Sequence, residues 1–388
     1  MSANKCAVYY VKFEFETLTF LLYALYDKEM EGFAVKQKWG TVIAGVVIGL
    51  VAICLGFFGN PANMAFCIAC FIRDTAGAIG LHRAEPVQYI RPETIGIVLG
   101  AFIIALIKKE YAPKGGSSPF TRFVLGICVM VGALIFLGCP LRMVLRIAGG
   151  DLNAVVGLFG FAGGILTGIV FLNRGFSLKR GHDQSAVEGA AFPVINILLL
   201  ALLIAAPGFV FFSESGPGSM HAPIFLSLAG GLIVGAVAQR SRLCFVGGIR
   251  DAVLFKDFRM LIYFAVILVT VLIGNLITGS FSLSFENQPV AHTEWIWNIL
   301  GLYLVGFGSV LLGGCPLRQL VLAGSGNSDS GVTVLGFFVG AAICHNFGLA
   351  SSGAGTTPNG RIAFVVCVVI VFAIAILNTG KLSKKGGA

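Results

Sequence analysis

The pentapeptide Gly-Cys-Pro-Leu-Arg occurs twice in this 388-residue chain, at 138–142 and 314–318, so that Cys139 and Cys315 stand 176 residues apart. Proline is favoured at the first position of a helix, where its missing N–H costs nothing. Each motif therefore predicts a cysteine capping a helix that opens with Pro140 or Pro316, with Arg142 or Arg318 one turn onward. Unpaired N–H groups and the positive end of the helix dipole favour anions at such a place. A thiol there is biased towards thiolate, and a neighbouring arginine adds to the bias. The chemistry this predicts is reception of an anion carrying sulfur or selenium, through S–H contacts, thiolate exchange or both. The plainer alternative is a small residue packed into a Gly-rich turn.

A second pair lies upstream. Cys67 and Cys244, 177 residues apart, each precede an Arg-Asp unit by the same spacing, Arg73–Asp74 and Arg250–Asp251. The thiols read as further members of a path, and the Arg-Asp units as ion pairs that lock the loops or line that path. Gly160 and Gly164 recur as Gly336 and Gly340 at the 176-residue offset. Separate motifs that keep nearly one spacing mark an internal duplication. Cys67 and Cys70 form a Cys-x-x-Cys, but Gly247 stands where Cys70 would recur, and no second such motif completes a zinc site. No metal or cofactor is expected. Cys54, Cys128 and Cys367 fall within apolar runs and read as packing residues. His345, Asn346, Asn196 and Asn275 read as helix-packing hydrogen-bonding groups. No Walker motif, nucleotide-binding loop or Ser-His-Asp constellation is present, so an enzyme is not expected.

The segments that carry the motifs, 61–73, 139–148, 242–252 and 315–323, are too short to cross a bilayer and too apolar for ordinary solvated loops. Irregular backbone at membrane depth is tolerated only inside protein or along a cavity. Four short re-entrant half-helices follow. Around them, ten apolar stretches approach the roughly 20 residues a spanning helix needs: 40–58, 92–108, 119–137, 153–172, 190–212, 221–239, 259–279, 294–313, 330–349 and 362–379. Hydrophobic residues make up 57% of the chain and charged residues only 12%, against about 25% charged in a soluble domain. That composition excludes an ordinary soluble enzyme and a nucleic-acid-binding module, and mean hydropathy is +0.91. The expected fold class is an all-α polytopic membrane protein.

Five spans fall in each half, and an odd number turns the second copy upside down relative to the first, an arrangement typical of transporters. The expected divisions are an N-terminal arm at 1–39, a first repeat at 40–212, and a second repeat with a C-terminal tail at 213–388. The apolar piece 18–26 in the arm is too short to span and reads as an interfacial helix. Of the 27 Lys and Arg, 21 fall in segments on the same side as the N-terminus, which orients both termini to the cytoplasm. The net charge of +9 is thus mostly an orienting charge.

The paired Gly-Cys-Pro-Leu-Arg segments, the paired Cys-x5-Arg-Asp units and the duplicated Gly-rich body resemble the YeeE/YedE family of sulfur-compound membrane transporters over about residues 40–380. The stretch GNPANMAFCIACFIRD at 59–74 is similar to the YedE branch of selenium transporters. The resemblance implies a bacterial inner-membrane permease importing thiosulfate or a related selenium anion along Cys67, Cys139, Cys244 and Cys315. It also implies a small TusA-like sulfur carrier as a cytoplasmic partner. A membrane thiol-relay enzyme or sulfurtransferase component, handing on sulfur without net transport, is the competing expectation.

Overall fold

The computed structural model describes residues 40–380. The expected arm at 1–39, its interfacial piece at 18–26 and the tail at 381–388 lie outside the described residues. Apolar runs bounded by Pro, Gly and polar caps set the helices. In chain order, α1 (Gly40–Phe57) is followed by the short α2 (Ile68–Ala78), then α3 (Pro92–Ile107) and α4 (Pro119–Phe136). The short α5 (Pro140–Ala148) precedes α6 (Leu152–Asn173) and α7 (Ala186–Ala205). After the one-turn α8 (Gly216–Ser219), the same order returns as α9 (Ile224–Ser241), short α10 (Phe245–Phe255), α11 (Arg259–Ile277) and α12 (Trp295–Leu312). Short α13 (Pro316–Gly324), α14 (Ser328–Asn346) and α15 (Pro358–Leu377) complete it. The one sheet among the described residues pairs β1 (Lys114–Gly115) with β2 (His182–Asp183), antiparallel, Lys114 opposite Asp183.

Ten helical segments are long and apolar enough to cross a membrane, so the fold is an all-α polytopic membrane protein. Three segments differ clearly in their bounds from the sequence reading. The expected span 190–212 is helical over Ala186–Ala205. A capping box between Ser185 and Glu188 starts it, and the left-handed Ala206 before Pro207 stops it. The expected half-helices 61–73 and 242–252 start later and run further, because Cys67 and Cys244 are themselves the caps. Each sulfur accepts the N–H three residues on, from Cys70 and Gly247, at 3.3 Å.

The sequence duplication is visible in the backbone. Leu137 and Gly313, one offset apart, both end a long helix in the left-handed region, with φ of 62° and 83°. Gly150 and Gly326 repeat at φ of 91° and 101°. The next residues, Asp151 and Asn327, cap α6 and α14 by accepting N–H groups from Asn153 and Ser330.

The halves also interlock. Helix α6 packs on α12, and α14 packs on α4, which is the same contact with the copies exchanged. In each case the paired glycines permit it. A Cβ on Gly160 or Gly164 would collide with the α12 carbonyls of Ile299 and Tyr303. Gly336 meets the Phe123 carbonyl of α4 in the same way, and a Cβ on Gly340 would press on Met130 Cβ and the Ile127 backbone. In lipid no hydrophobic force drives helices together, so close backbone approach supplies the attraction. Between the helices, the connections gather at two ends. At one end Phe211 and Ser213 bond to Ala78 and Gln88, and Ser282 to Gly149. At the other, Ala112 and Lys114 bond to Ser325 and Gly326, and Gln184 to Pro113.

Replacing Gly164 with Leu should destabilise the protein by about 1–3 kcal/mol through overpacking. Gly163→Leu serves as the control, because a Cβ there meets only Tyr303 Cδ2, at 3.8 Å. That change should stay within about 0.5 kcal/mol. Thermal unfolding of both variants in detergent checks the pair.

Candidate functional site

The four predicted path cysteines form two buried pairs. In the first, the Cys139 thiol lies against Cys67, and it faces the backbone N–H groups of Ile68 and Arg142. Those N–H groups belong to the first turns of α2 and α5, so two helix N-termini converge on one pair of sulfurs. In the second, Cys315 lies against Cys244 and faces the N–H groups of Phe245 and Arg318, the first turns of α10 and α13. Every partner in one pair is the repeat equivalent of its partner in the other. Cys67, Cys139 and Cys315 are almost wholly buried and Cys244 is 8% exposed. Cys67 and Cys139 belong to the end where Phe211 and Ser282 are bonded. Cys244 and Cys315 belong to the opposite end.

The two pairs differ in two respects. Cys70 adds a third sulfur to the first, 2.8 Å from Cys67, whereas Gly247 leaves the second with two. The arginines differ more. Arg142 is fully buried and its guanidinium donates to the carbonyls of Leu137, Asn63, Pro289 and Val290, and to Cys70 Sγ at 3.5 Å. The Arg318 guanidinium has no hydrogen bond or ion pair among the described residues, and its Nη1 is buried without a partner. Of the two anion-stabilising arginines expected from sequence, one is saturated by backbone oxygens and one holds open donors.

The Arg-Asp units form as ion pairs, each at 2.7 Å. Arg73–Asp74 is buried and extended by Arg91, whose guanidinium reaches Asp74 at 2.8 Å and donates to the carbonyls of Pro217 and Met220. Arg250–Asp251 is half-buried and makes no further ion pair among the described residues. The polar groups read as packing residues behave variously. Asn275 bonds from α11 to Ala148 O at 3.1 Å. Asn196 instead bonds within its own helix to Phe192 O. Asn346 reaches Leu81 O, and His345 stacks on His82 with centroids 4.5 Å apart. Cys128 and Cys367 approach each other between α4 and α15.

Three groups carried no motif in the sequence. Arg91 and Asn60 hold connections between helices by hydrogen bonds to distant backbone. Glu93, in the first turn of α3, is fully buried. Its Oε1 accepts from Asn60 and Ser227, and its Oε2 has no partner. Burying an unpaired carboxylate costs several kcal/mol, and the helix N-terminus returns only about 0.3–2 kcal/mol. The one signal available in sequence was a lone acid beginning an apolar run.

These observations define a class: a multi-pass membrane protein with one buried thiol pair at helix N-termini in each half of the chain. Residues 240–379 match the family described as Sulphur transport, a stretch that holds Cys244, Arg250, Asp251, Cys315 and Arg318. The chain is 30% identical over 127 residues to the thiosulfate transporter TsuA of Escherichia coli, covering 32% of this chain and 35% of that one. It is 28% identical over 121 residues to the TsuA of Spirochaeta thermophila, covering 30% and 35%. A third similarity, 30% over 154 residues, is to an NADH-quinone oxidoreductase component of Maricaulis maris, covering 38% and 41%. The chain thus spans about a third of the length of the TsuA relatives it matches. The family match and the TsuA relatives support the YeeE/YedE family read from the motifs.

Breaking a buried ion pair from one side costs about 3–5 kcal/mol, and the cost falls towards the roughly 0–1 kcal/mol of an exposed pair as solvent reaches it. Asp74→Ala should therefore destabilise far more than Asp251→Ala at the equivalent position, in denaturant unfolding of both variants. Two histidines in the connections supply a pH dependence. Burial holds His82 and His292 below the ordinary value of 6.5, and His292 donates its Nε2–H to Ile135 O at 2.8 Å. The unfolded chain then binds protons that the folded one refuses, so stability falls as pH drops below about 6.5. Melting temperature plotted against pH should fall less steeply for a His82→Gln, His292→Gln double variant.

Proposed function

We propose that this chain is a permease for a small sulfur-containing anion of the thiosulfate kind, or a selenium anion of like shape, with no enzymatic turnover. The observation that carries the proposal is the two buried thiol pairs, each where two helix N-termini converge. N–H groups and helix dipoles there receive negative charge, and the sulfurs offer S–H contacts to a sulfur or selenium atom. Cys67 and Cys139 form the outer station, Cys244 and Cys315 the inner one. Arg318 holds open donors for the anion at the inner station, and Arg142 takes that role at the outer one once its carbonyl partners are released. Arg73–Asp74 and Arg250–Asp251 brace the helices that carry Cys67 and Cys244.

Two inverted repeats, 40–212 and 213–388, are the architecture that gives such a path two entrances. The exchanged packing of α6 on α12 and α14 on α4 supports that reading. The lysine-rich side faces the cytoplasm of a bacterial inner membrane with both termini, where a TusA-like carrier would accept the sulfur. Thiosulfate transport by the TsuA relatives agrees with the family match on sulfur transport. The competing function is a thiol relay without net transport, and the 2.8 Å approach of Cys67 and Cys70 is the observation in its favour.

Labelled thiosulfate and selenite uptake into vesicles separates the two. A hydrogen bond to a charged group is worth about 1.5–3 kcal/mol, so Cys139→Ala and Cys315→Ala should each lower uptake about tenfold or more. Undiminished uptake in both variants would remove the cysteines from the path. Absence of uptake of either anion by the unaltered protein, with label transferred to a carrier thiol instead, would establish the relay.

A further inference from the structure

Four acidic side chains are buried among the described residues: Asp74, Glu93, Asp151 and Asp329. Three of them have arginine. Asp74 is held by Arg73 and Arg91, Asp151 by Arg146 at 2.6 Å, and Asp329 by Arg122 at 3.9 Å with the N–H groups of Gly116 and Ser117. Glu93 alone among the four has no ion pair among the described residues, although it is fully buried. The nearest guanidinium in sequence, Arg91, is committed to Asp74, Pro217 and Met220. A second buried atom nearby is also unsatisfied. The hydroxyl of Tyr89, a residue only 4% exposed and within electrostatic reach of Glu93, has no partner.

We infer that Glu93 is the site of a monovalent coupling cation, proton or sodium, whose binding drives anion transport. The inference rests on the permease reading above. Glu93 Oε2 and Tyr89 Oη are two buried oxygens without a partner, Glu93 has no counter-charge among the described residues, and a monocation bound at the carboxyl meets both needs. Further oxygens stand close by. Ser227 Oγ lies 3.0 Å from Glu93 Oε1 and 3.5 Å from the carbonyl of Ala222. On the other side of Tyr89 lies the exposed His221, whose ring stacks on it with centroids 4.0 Å apart. The N-terminal end of α3 lessens the cost of the charge but leaves Oε2 unpartnered.

The site is wired to the thiols. Asn60 donates to Glu93 Oε1 at 2.8 Å and to Ala65 O at 3.3 Å, and Ala65 lies two residues before Cys67. Asn60 Oδ1 also accepts from Ala222 N at the foot of α9. A cation on the carboxylate competes with the Asn60 and Ser227 donors. Its arrival therefore loosens the segment that carries Cys67. Helix α11, the element of the second half corresponding to α3, contains no Asp or Glu. The device belongs to the outer station alone.

The test uses purified protein in proteoliposomes with labelled thiosulfate, under a proton gradient without sodium and, separately, a sodium gradient at equal pH. One gradient should drive accumulation above the external concentration in the unaltered protein, and the arm that does so names the cation. Glu93→Gln, which keeps shape and an acceptor oxygen, should lose that accumulation and still equilibrate the anion. Equilibration by the unaltered protein with no response to either gradient, or a full gradient response in Glu93→Gln, overturns the cation site and leaves the permease standing. If the unaltered protein equilibrates no anion, the permease reading fails, and melting temperature decides the site separately. A shift with sodium or pH that Glu93→Gln abolishes supports it, and an identical response in both proteins overturns it.

Discussion

Backbone polar groups inside an apolar body must find partners within the protein, because the hydrocarbon supplies none. Four short helices begin in the interior of this chain, so the free N–H groups of their first turns are the groups in question. Sulfur meets part of that need: Cys67 and Cys244 each accept the N–H three residues onward. Pro140 and Pro316 remove one donor each from the other two helix starts. What remains unsatisfied is directed at Cys139 and Cys315. The same feature that makes the interior costly thus concentrates positive potential where the thiols are.

The two thiol pairs share a plan and differ in their surroundings. At one, Leu137 occupies a left-handed conformation that glycine adopts at its equivalent, Gly313. The Leu137 carbonyl accepts from Arg142, whose donors are filled by oxygens from three separate segments. At the other, Arg318 meets no such oxygens and keeps its donors free. Two halves with like sequence motifs can therefore hold unlike electrostatic environments, and the difference comes from the connecting segments. The 280–292 connection covers the first pair through Pro289, Val290 and His292.

Most of the fold was legible in the chain because the signals were local. Length and apolarity alone locate all ten spans, and Pro and Gly mark most of their ends. The start of α2 was read seven residues early, since nothing in the sequence shows that the sulfur of Cys67, and not Pro61, closes the first turn. The expected end of α7 falls late because residues 206–212 are nearly as apolar as the span they follow, whereas the left-handed Ala206 before Pro207 ends the helix. At the site, motif spacing brought the four cysteines and two arginines to notice, and the structure brings the cysteines together in two pairs. Asn60, Tyr89, Arg91 and Glu93 were not legible. Their importance lies in what they do or do not meet from α8, α9 and the 206–223 connection, more than a hundred residues away.

The sequence by itself determined that the chain is an all-α membrane protein with ten spans, an internal duplication and two copies of a thiol-bearing helix start. Each of these is a matter of composition, periodicity or spacing, and all are read along a single strand of chain. Only the tertiary structure decided which sulfurs pair, which arginine is free and which buried acid lacks a counter-charge. Those are questions of who meets whom in a low-dielectric interior, and there a charge is governed by its nearest partners and not by its neighbours in sequence.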